Sequence, residues 1–155
     1  MAIEIERKFL VVGNGWRDSA DTGTAMRQGY LCADKERTVR VRLTDNTAKL
    51  TIKGPTDGIA RSEYEYDIPE RDAREMLAEL CAHTPIAKTR YRVEHGDHLW
   101  EVDVFEGANA GLVLAEVELG SAGEAVELPD WAGEEVSDDE RYYNAYLTRH
   151  PFGSW

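Results

Sequence analysis

Charged and apolar residues alternate along nearly every extended stretch of this chain, most clearly at Glu4-Ile5-Glu6-Arg7-Lys8. In a strand successive side chains point to opposite faces, so Glu4, Glu6 and Lys8 project to one side and Ile3, Ile5, Arg7 and Phe9 to the other. The same period of two returns elsewhere. Arg40 and Arg42 oppose Val39, Val41 and Leu43. Lys49, Thr51 and Lys53 share a face, and Arg61, Glu63, Glu65 and Asp67 oppose Tyr64, Tyr66 and Ile68. Lys88, Arg90 and Arg92 are in phase, as are Glu101 with Asp103 and Glu116 with Glu118. Strands of this kind build antiparallel sheets with one polar and one apolar face.

The alternation predicts strands over 2–12, 26–33, 38–43, 48–53, 60–68, 87–94, 97–105 and 112–119. Turn-forming Gly, Asn, Asp and Pro clusters separate them. After Pro69 the period changes: Ala73, Met76, Leu77, Leu80 and Cys81 recur at helical spacing, predicting an amphipathic helix over 72–82 that must end before Pro85. The stretch 120–135 reads as irregular. Ser137 and Glu140 have the spacing of a capping box, which would start a short closing helix with Tyr143, Tyr146 and Leu147 as its apolar stripe.

A chain of 155 residues with 42% apolar content suits one domain spanning 1–155. Its net charge of -12 argues against nucleic acid as a partner, because affinity for a phosphate backbone comes from surplus Lys and Arg. A local cluster of bases inside an acidic molecule still suits a small anion. Cys32 and Cys81 lack metal-site spacing and read as free thiols. No window approaches the ~18 apolar residues of a membrane span, so no membrane partner and a cytoplasmic location are the expectation.

Eight strands with short connections suffice to close a barrel. The charged faces then point either outward around an apolar core or inward around a polar channel. Three features favour the inward arrangement. The helix needs an apolar surface to bury against, which the outside of such a barrel provides. The charges segregate by strand into acidic pairs (Glu4/Glu6, Glu63/Glu65, Glu101/Asp103, Glu116/Glu118) and basic sets (Arg40/Arg42, Lys49/Lys53, Lys88/Arg90/Arg92). Like charges two apart repel unless a counter-ion or ligand lies between the strands. Paired carboxylates suit a hard divalent cation, and clustered Lys and Arg suit phosphate oxygens. Both together are what phosphoryl transfer requires.

The residues that carry this pattern resemble the CYTH superfamily, the triphosphate tunnel metalloenzymes. The similarity begins with Glu-x-Glu-x-Lys at Glu4, Glu6 and Lys8. It continues through Gln28-Gly29-Tyr30-Leu31, Arg40-Val41-Arg42, Lys53-Gly54, Arg61 with Glu63 and Glu65, and Lys88-Thr89-Arg90-Tyr91. It ends with Ala115-Glu116-Val117-Glu118-Leu119 and Asp139-Glu140-Arg141-Tyr142-Tyr143-Asn144. The resemblance implies an α+β, mainly antiparallel β fold: a closed eight-stranded β-barrel, the triphosphate tunnel, with a few helices packed outside. It implies action on a linear triphosphate with Mg²⁺ or Mn²⁺ in a monomer or homodimer.

Residue by residue, the resemblance makes Lys8, Arg40, Arg42, Lys53, Lys88 and Arg90 the phosphate clamp. Glu4, Glu6, Glu116 and Glu118 become the metal side, with Glu63, Glu65 and Asp103 supporting a second ion or orienting water and the basic side chains. Lys8, Tyr30, Lys88 and Glu65 take the catalytic roles. Arg7 is expected to pair on the surface, Lys49 and Arg92 to lie near a mouth, and the four histidines to be superficial. The compact chain favours inorganic tripolyphosphate as substrate. Alternatives are a class IV-type adenylyl cyclase, a thiamine triphosphatase, and a triphosphate or polyphosphate sensor without turnover.

Overall fold

Strand pairing closes the expected barrel in the computed structural model, which describes residues 2–155. The strands are β1 (Ile3–Val11), β2 (Thr24–Ala33), β3 (Thr38–Leu43), β4 (Ala48–Lys53), β5 (Ala60–Asp67), β6 (Ile86–His95), β7 (His98–Phe105) and β8 (Val113–Glu118). Their order is β5-β4-β3-β2-β6-β7-β8-β1, and the pairing of Ile3, Glu4 and Ile5 with Ser62, Arg61 and Ala60 joins β1 back to β5. Every pairing is antiparallel. Among the described residues no helix is long and apolar enough to cross a membrane.

The stretch 120–135, expected to be irregular, contributes a ninth strand, β9 (Ala132–Glu135), which pairs Phe9 with Glu135 and Val11 with Ala132. The physical reason lies in β1. Its early residues meet β5 on one edge while β8 occupies the other, so the later part of the first edge would be bare, and β9 covers it. Four residues with two glutamates give too short an alternation to announce a strand. As expected, Arg7 pairs at the surface: its Nη2 lies 2.7 Å from the Glu135 carboxylate.

The charged faces point inward and the main apolar clusters lie outside the barrel. One groups Phe9, Trp16, Val93, Trp100, Val102, Ala115, Val117, Leu119 and Trp131. Trp16 reaches it from a short 3-10 turn (Gly15–Ser19), and Trp131 from the tail, its ring centroid 5.4 Å from that of Trp100. Burying each such side chain stabilises the fold by about 1.5–3 kcal/mol, so the connecting segments carry much of the core. A second outer cluster forms where α1 (Glu70–Glu79) lays Ala73 and Leu77 over Val41, Leu43 and Ala48. This helix begins earlier than the sequence pattern predicts, directly after Pro69. Pro69 supplies the extended entry residue, and Glu70 and Asp72 sit favourably in the first turn. Beyond its end, Cys81 rests on Gly29 of β2, where any Cβ would collide with the sulfur. That contact explains a glycine in mid-strand.

One sector of the inner wall is apolar. Ile86, Phe105 and Leu114 share the inward phase of Lys88, Asp103 and Glu116, and they pack with Leu112, Val136 and Leu147 of α2 (Asn144–Arg149). The capping box at Ser137 does not form. Ser137 Oγ instead accepts the Lys8 amide at 2.9 Å, and α2 starts after Tyr143. The capping residue nearby is Asp139, which accepts the Arg141 amide at the head of a 3-10 turn. α2 thus turns Leu147 to the apolar sector, while Tyr143 and Tyr146 face the charged one.

Candidate active site

Inside the barrel lies a cavity of about 720 Å³. Its walls carry Glu4, Glu6 and Lys8 from β1, Tyr30 from β2, Arg40 and Arg42 from β3, Lys53 from β4, Glu63 and Glu65 from β5, Lys88 and Arg90 from β6, and Glu116 and Glu118 from β8. Of the residues given clamp, metal or catalytic roles from the sequence, Asp103 alone does not line it; Lys49 and Arg92, expected near a mouth, do not line it either. His150 reaches its rim, and His83, His95 and His98 lie elsewhere.

Asp103 is buried behind the wall, with both oxygens occupied. Its Oδ2 accepts from Lys88 Nζ at 2.7 Å and from Arg90 Nη2 at 2.9 Å, and its Oδ1 accepts from Arg90 Nε at 2.8 Å. Register places it directly opposite Arg90. With those lone pairs committed to Lys88 and Arg90, Asp103 orients the basic side chains, and its oxygens are not free for a second ion. Burial would raise its pKa, but Lys88 and Arg90 hold it far below the usual carboxylate range, and the Arg90 guanidinium is correspondingly raised.

The remaining bases are crowded. Burial, followed by the repulsion of Arg90 and Arg42, brings Lys88 down to about 7 despite Asp103. Burial and then Arg40 and Arg90 bring Arg42 down to about 9. Arg40 donates to Thr51 Oγ1 at 3.2 Å, yet its Nε is buried without an acceptor. A positively charged, desolvated wall with an unused donor is complementary to an anion.

The opposite wall is crowded with carboxylates. Glu6 stands directly across from Glu118, and Glu116 across from Glu101, pairings of like charge that cost stability in a sheet. Burial, then Glu116 and Glu4, raises Glu6 well above the ordinary carboxylate value; burial, then Glu4 and Glu63, also raises Glu118. Glu116 is held at about 2: burial opposes its charge, but Lys8 and Arg90, each 3.8 Å away, outweigh burial. Glu4 is bonded to Lys53 at 2.7 Å, and Lys53 also lies 3.3 Å from Glu63. Glu65 accepts from Thr51 Oγ1 at 3.1 Å on a more open part of the wall. This donor set fits a hard divalent cation, because a cation would relieve the carboxylate repulsion. Among the described residues no three such groups already converge as a closed metal cage.

Several positions at the cavity were given no role from sequence. Glu101 lines the cavity and accepts from Arg90 at 3.2 Å; Gln28 and Thr51 face inward and bond to the clamp arginines. Strand parity, which puts Gln28 in phase with Tyr30 and Glu101 with Asp103, is the signal that would find the first two. Tyr143 and Asn144 enter from the C-terminal segment, where no strand period exists. The Tyr142 carbonyl accepts from Lys8 Nζ at 3.2 Å, and that ammonium also lies 5.4 Å from the centre of the Tyr143 ring.

The chain resembles known proteins over nearly all of its length. The CYTH domain model matches residues 2–143. An inorganic triphosphatase of Acetivibrio thermocellus is 45% identical over 152 residues, covering 98% of this chain and 97% of that protein. One from Nitrosomonas europaea is 38% identical over 148 residues, covering 93% and 95%. A solved crystal structure of an inorganic triphosphatase superposes with a TM-score of 0.65 at 37% identity, covering 96% of this chain and 95% of that one. Barrel, inward charge and sequence agree over the same residues, and the chain belongs to the CYTH domain family.

Proposed function

We propose that this chain is a divalent-metal-dependent hydrolase that removes the terminal phosphoryl group of a linear triphosphate, with inorganic tripolyphosphate as substrate and Mg²⁺ or Mn²⁺ as cofactor. The observation that carries the proposal is the frustration inside the cavity: burial, and then neighbouring bases, depress Arg42 and Lys88, while burial, and then neighbouring carboxylates, raise Glu6 and Glu118. An anion and a cation bound together relieve both. The two relatives named as inorganic triphosphatases support the choice of substrate.

The roles follow from position. Arg40, Arg42, Lys53 and Arg90 hold the non-bridging phosphate oxygens, as clustered guanidinium and ammonium groups do. Lys8 neutralises charge that builds on the phosphoryl group in the transition state. Lys88, with a pKa of about 7, is suited to protonate the leaving oxygen near neutrality. Tyr30, buried on the cavity wall, orients a lysine or the attacking water with its hydroxyl. Glu65, half-exposed and fixed by Thr51, takes the proton of that water. A divalent ion held by Glu4, Glu6, Glu116 and Glu118, with Glu63 in support, would supply further charge neutralisation.

The test gives the purified protein tripolyphosphate, thiamine triphosphate and ATP in parallel, with Mg²⁺, with Mn²⁺ and with chelator, scoring phosphate, pyrophosphate and cyclic AMP. Phosphate released from tripolyphosphate only when metal is present is the expected result. No release with either ion overturns the proposal, and cyclic AMP from ATP would make the protein a cyclase.

A further inference from the structure

Two neutral amides connect the two halves of the basic wall. Gln28 Oε1 accepts from Arg42 Nε at 2.9 Å, Gln28 Nε2 donates to Asn144 Oδ1 at 2.7 Å, and the same oxygen accepts from Lys88 Nζ at 3.1 Å. The direction of the chain is fixed from its ends, because Arg42 and Lys88 are donors only and each must meet an amide oxygen. Gln28 is completely buried, so its two partners are the groups that satisfy it. Asn144 is the first residue of α2, which packs by Leu147 into the apolar sector of the barrel, so the helix sets the position of the amide.

The chemistry of the link is informative. Lys88 and Arg90 already share the charge of Asp103, and Glu116 lies near Lys8 and Arg90. A further carboxylate beside Lys88 would hold it as firmly but would cancel the positive charge that a phosphate has to meet. An amide oxygen positions the ammonium and leaves its charge available.

We propose that Gln28 and Asn144 are positioning residues of the phosphate clamp, neutral acceptors that fix Arg42 and Lys88 for a triphosphate without neutralising them. The inference rests on the proposed substrate class and adds two residues and a reason for their lack of charge.

Asn144→Asp separates this role from a merely structural one. Both partners of Asn144 Oδ1 are donors, so aspartate keeps both hydrogen bonds, and a residue that only holds the fold would tolerate the change. The measurement is calorimetric titration of inorganic tripolyphosphate into the metal-free protein, alongside kcat and KM with Mg²⁺ and a thermal melt. The expected result is an Asn144→Asp protein that melts no lower than wild type but binds tripolyphosphate about tenfold more weakly, because the added carboxylate cancels charge that the phosphate would meet. The loss should appear chiefly in KM. Asn144→Ala should also weaken binding, and Asn144→Gln should recover part of it. Wild-type binding and KM in Asn144→Asp overturn the inference, as does a melting loss that accounts for the whole effect in every variant. Tripolyphosphate bound by wild type but not hydrolysed would refute the proposed reaction and leave the positioning role to be read from the titrations.

Discussion

Glu116 shows how one side chain holds both walls together. It faces Lys8 across the strand pair, lies 3.8 Å from Arg90 Nη2, and also stands opposite Glu101. Its pKa is about 2 in the fold against an ordinary value of 4.5. The folded state therefore binds fewer protons between those values: the stability this group contributes is complete above about pH 4.5 and disappears as pH falls through about 2. Glu116→Gln should cost about 3 kcal/mol at pH 7, with the gap to wild type closing between pH 4.5 and 2 in urea melts. A gap independent of pH would show that its pairing with Lys8 and Arg90 is not the cause. The same variant should lose metal-dependent phosphate release while remaining folded. Asp103 carries the complementary lesson. From sequence it is one more inward carboxylate, and only the positions of Lys88 and Arg90 show that its oxygens are already taken.

At the scale of elements, the barrel depends on what packs against its outside. Helix α1 can lie close to β2 and β3 because Gly29 leaves room for Cys81 and Leu77. Gly29→Ala should force the C-terminal turn of α1 outward and cost about 1–3 kcal/mol, the usual range for overpacking. Cys81→Ala in the same chain should recover part of that loss in denaturant melts; no recovery would place the strain elsewhere. The strands were legible because a period of two survives wherever one face is dry. β9 was not, because four residues with two glutamates hold too few repeats, and its place is set by the bare edge of β1. Ser137 likewise has capping spacing but is drawn to the amide of Lys8, a partner distant in sequence.

Across the whole molecule, the cavity touches every strand of the barrel, so ligand binding should stabilise the fold as a unit. Tripolyphosphate with Mg²⁺ at about 100 times Kd should add about 2.7 kcal/mol, raising the melting temperature by roughly 5–10 °C. An unchanged melting temperature would mean that the triphosphate does not enter the barrel. The sequence by itself determined the antiparallel strands and the segregation of acids and bases by strand, because local alternation separates one face from the other, and its ordered motifs carried the family resemblance. The tertiary structure alone decided which charges are spent on one another and which remain for a ligand. Asp103 is consumed, Arg40 Nε is left over, and Gln28 reaches Lys88 through an asparagine from the C-terminal helix. Those outcomes depend on distances of about 3 Å between residues far apart in the chain, and no local pattern encodes them.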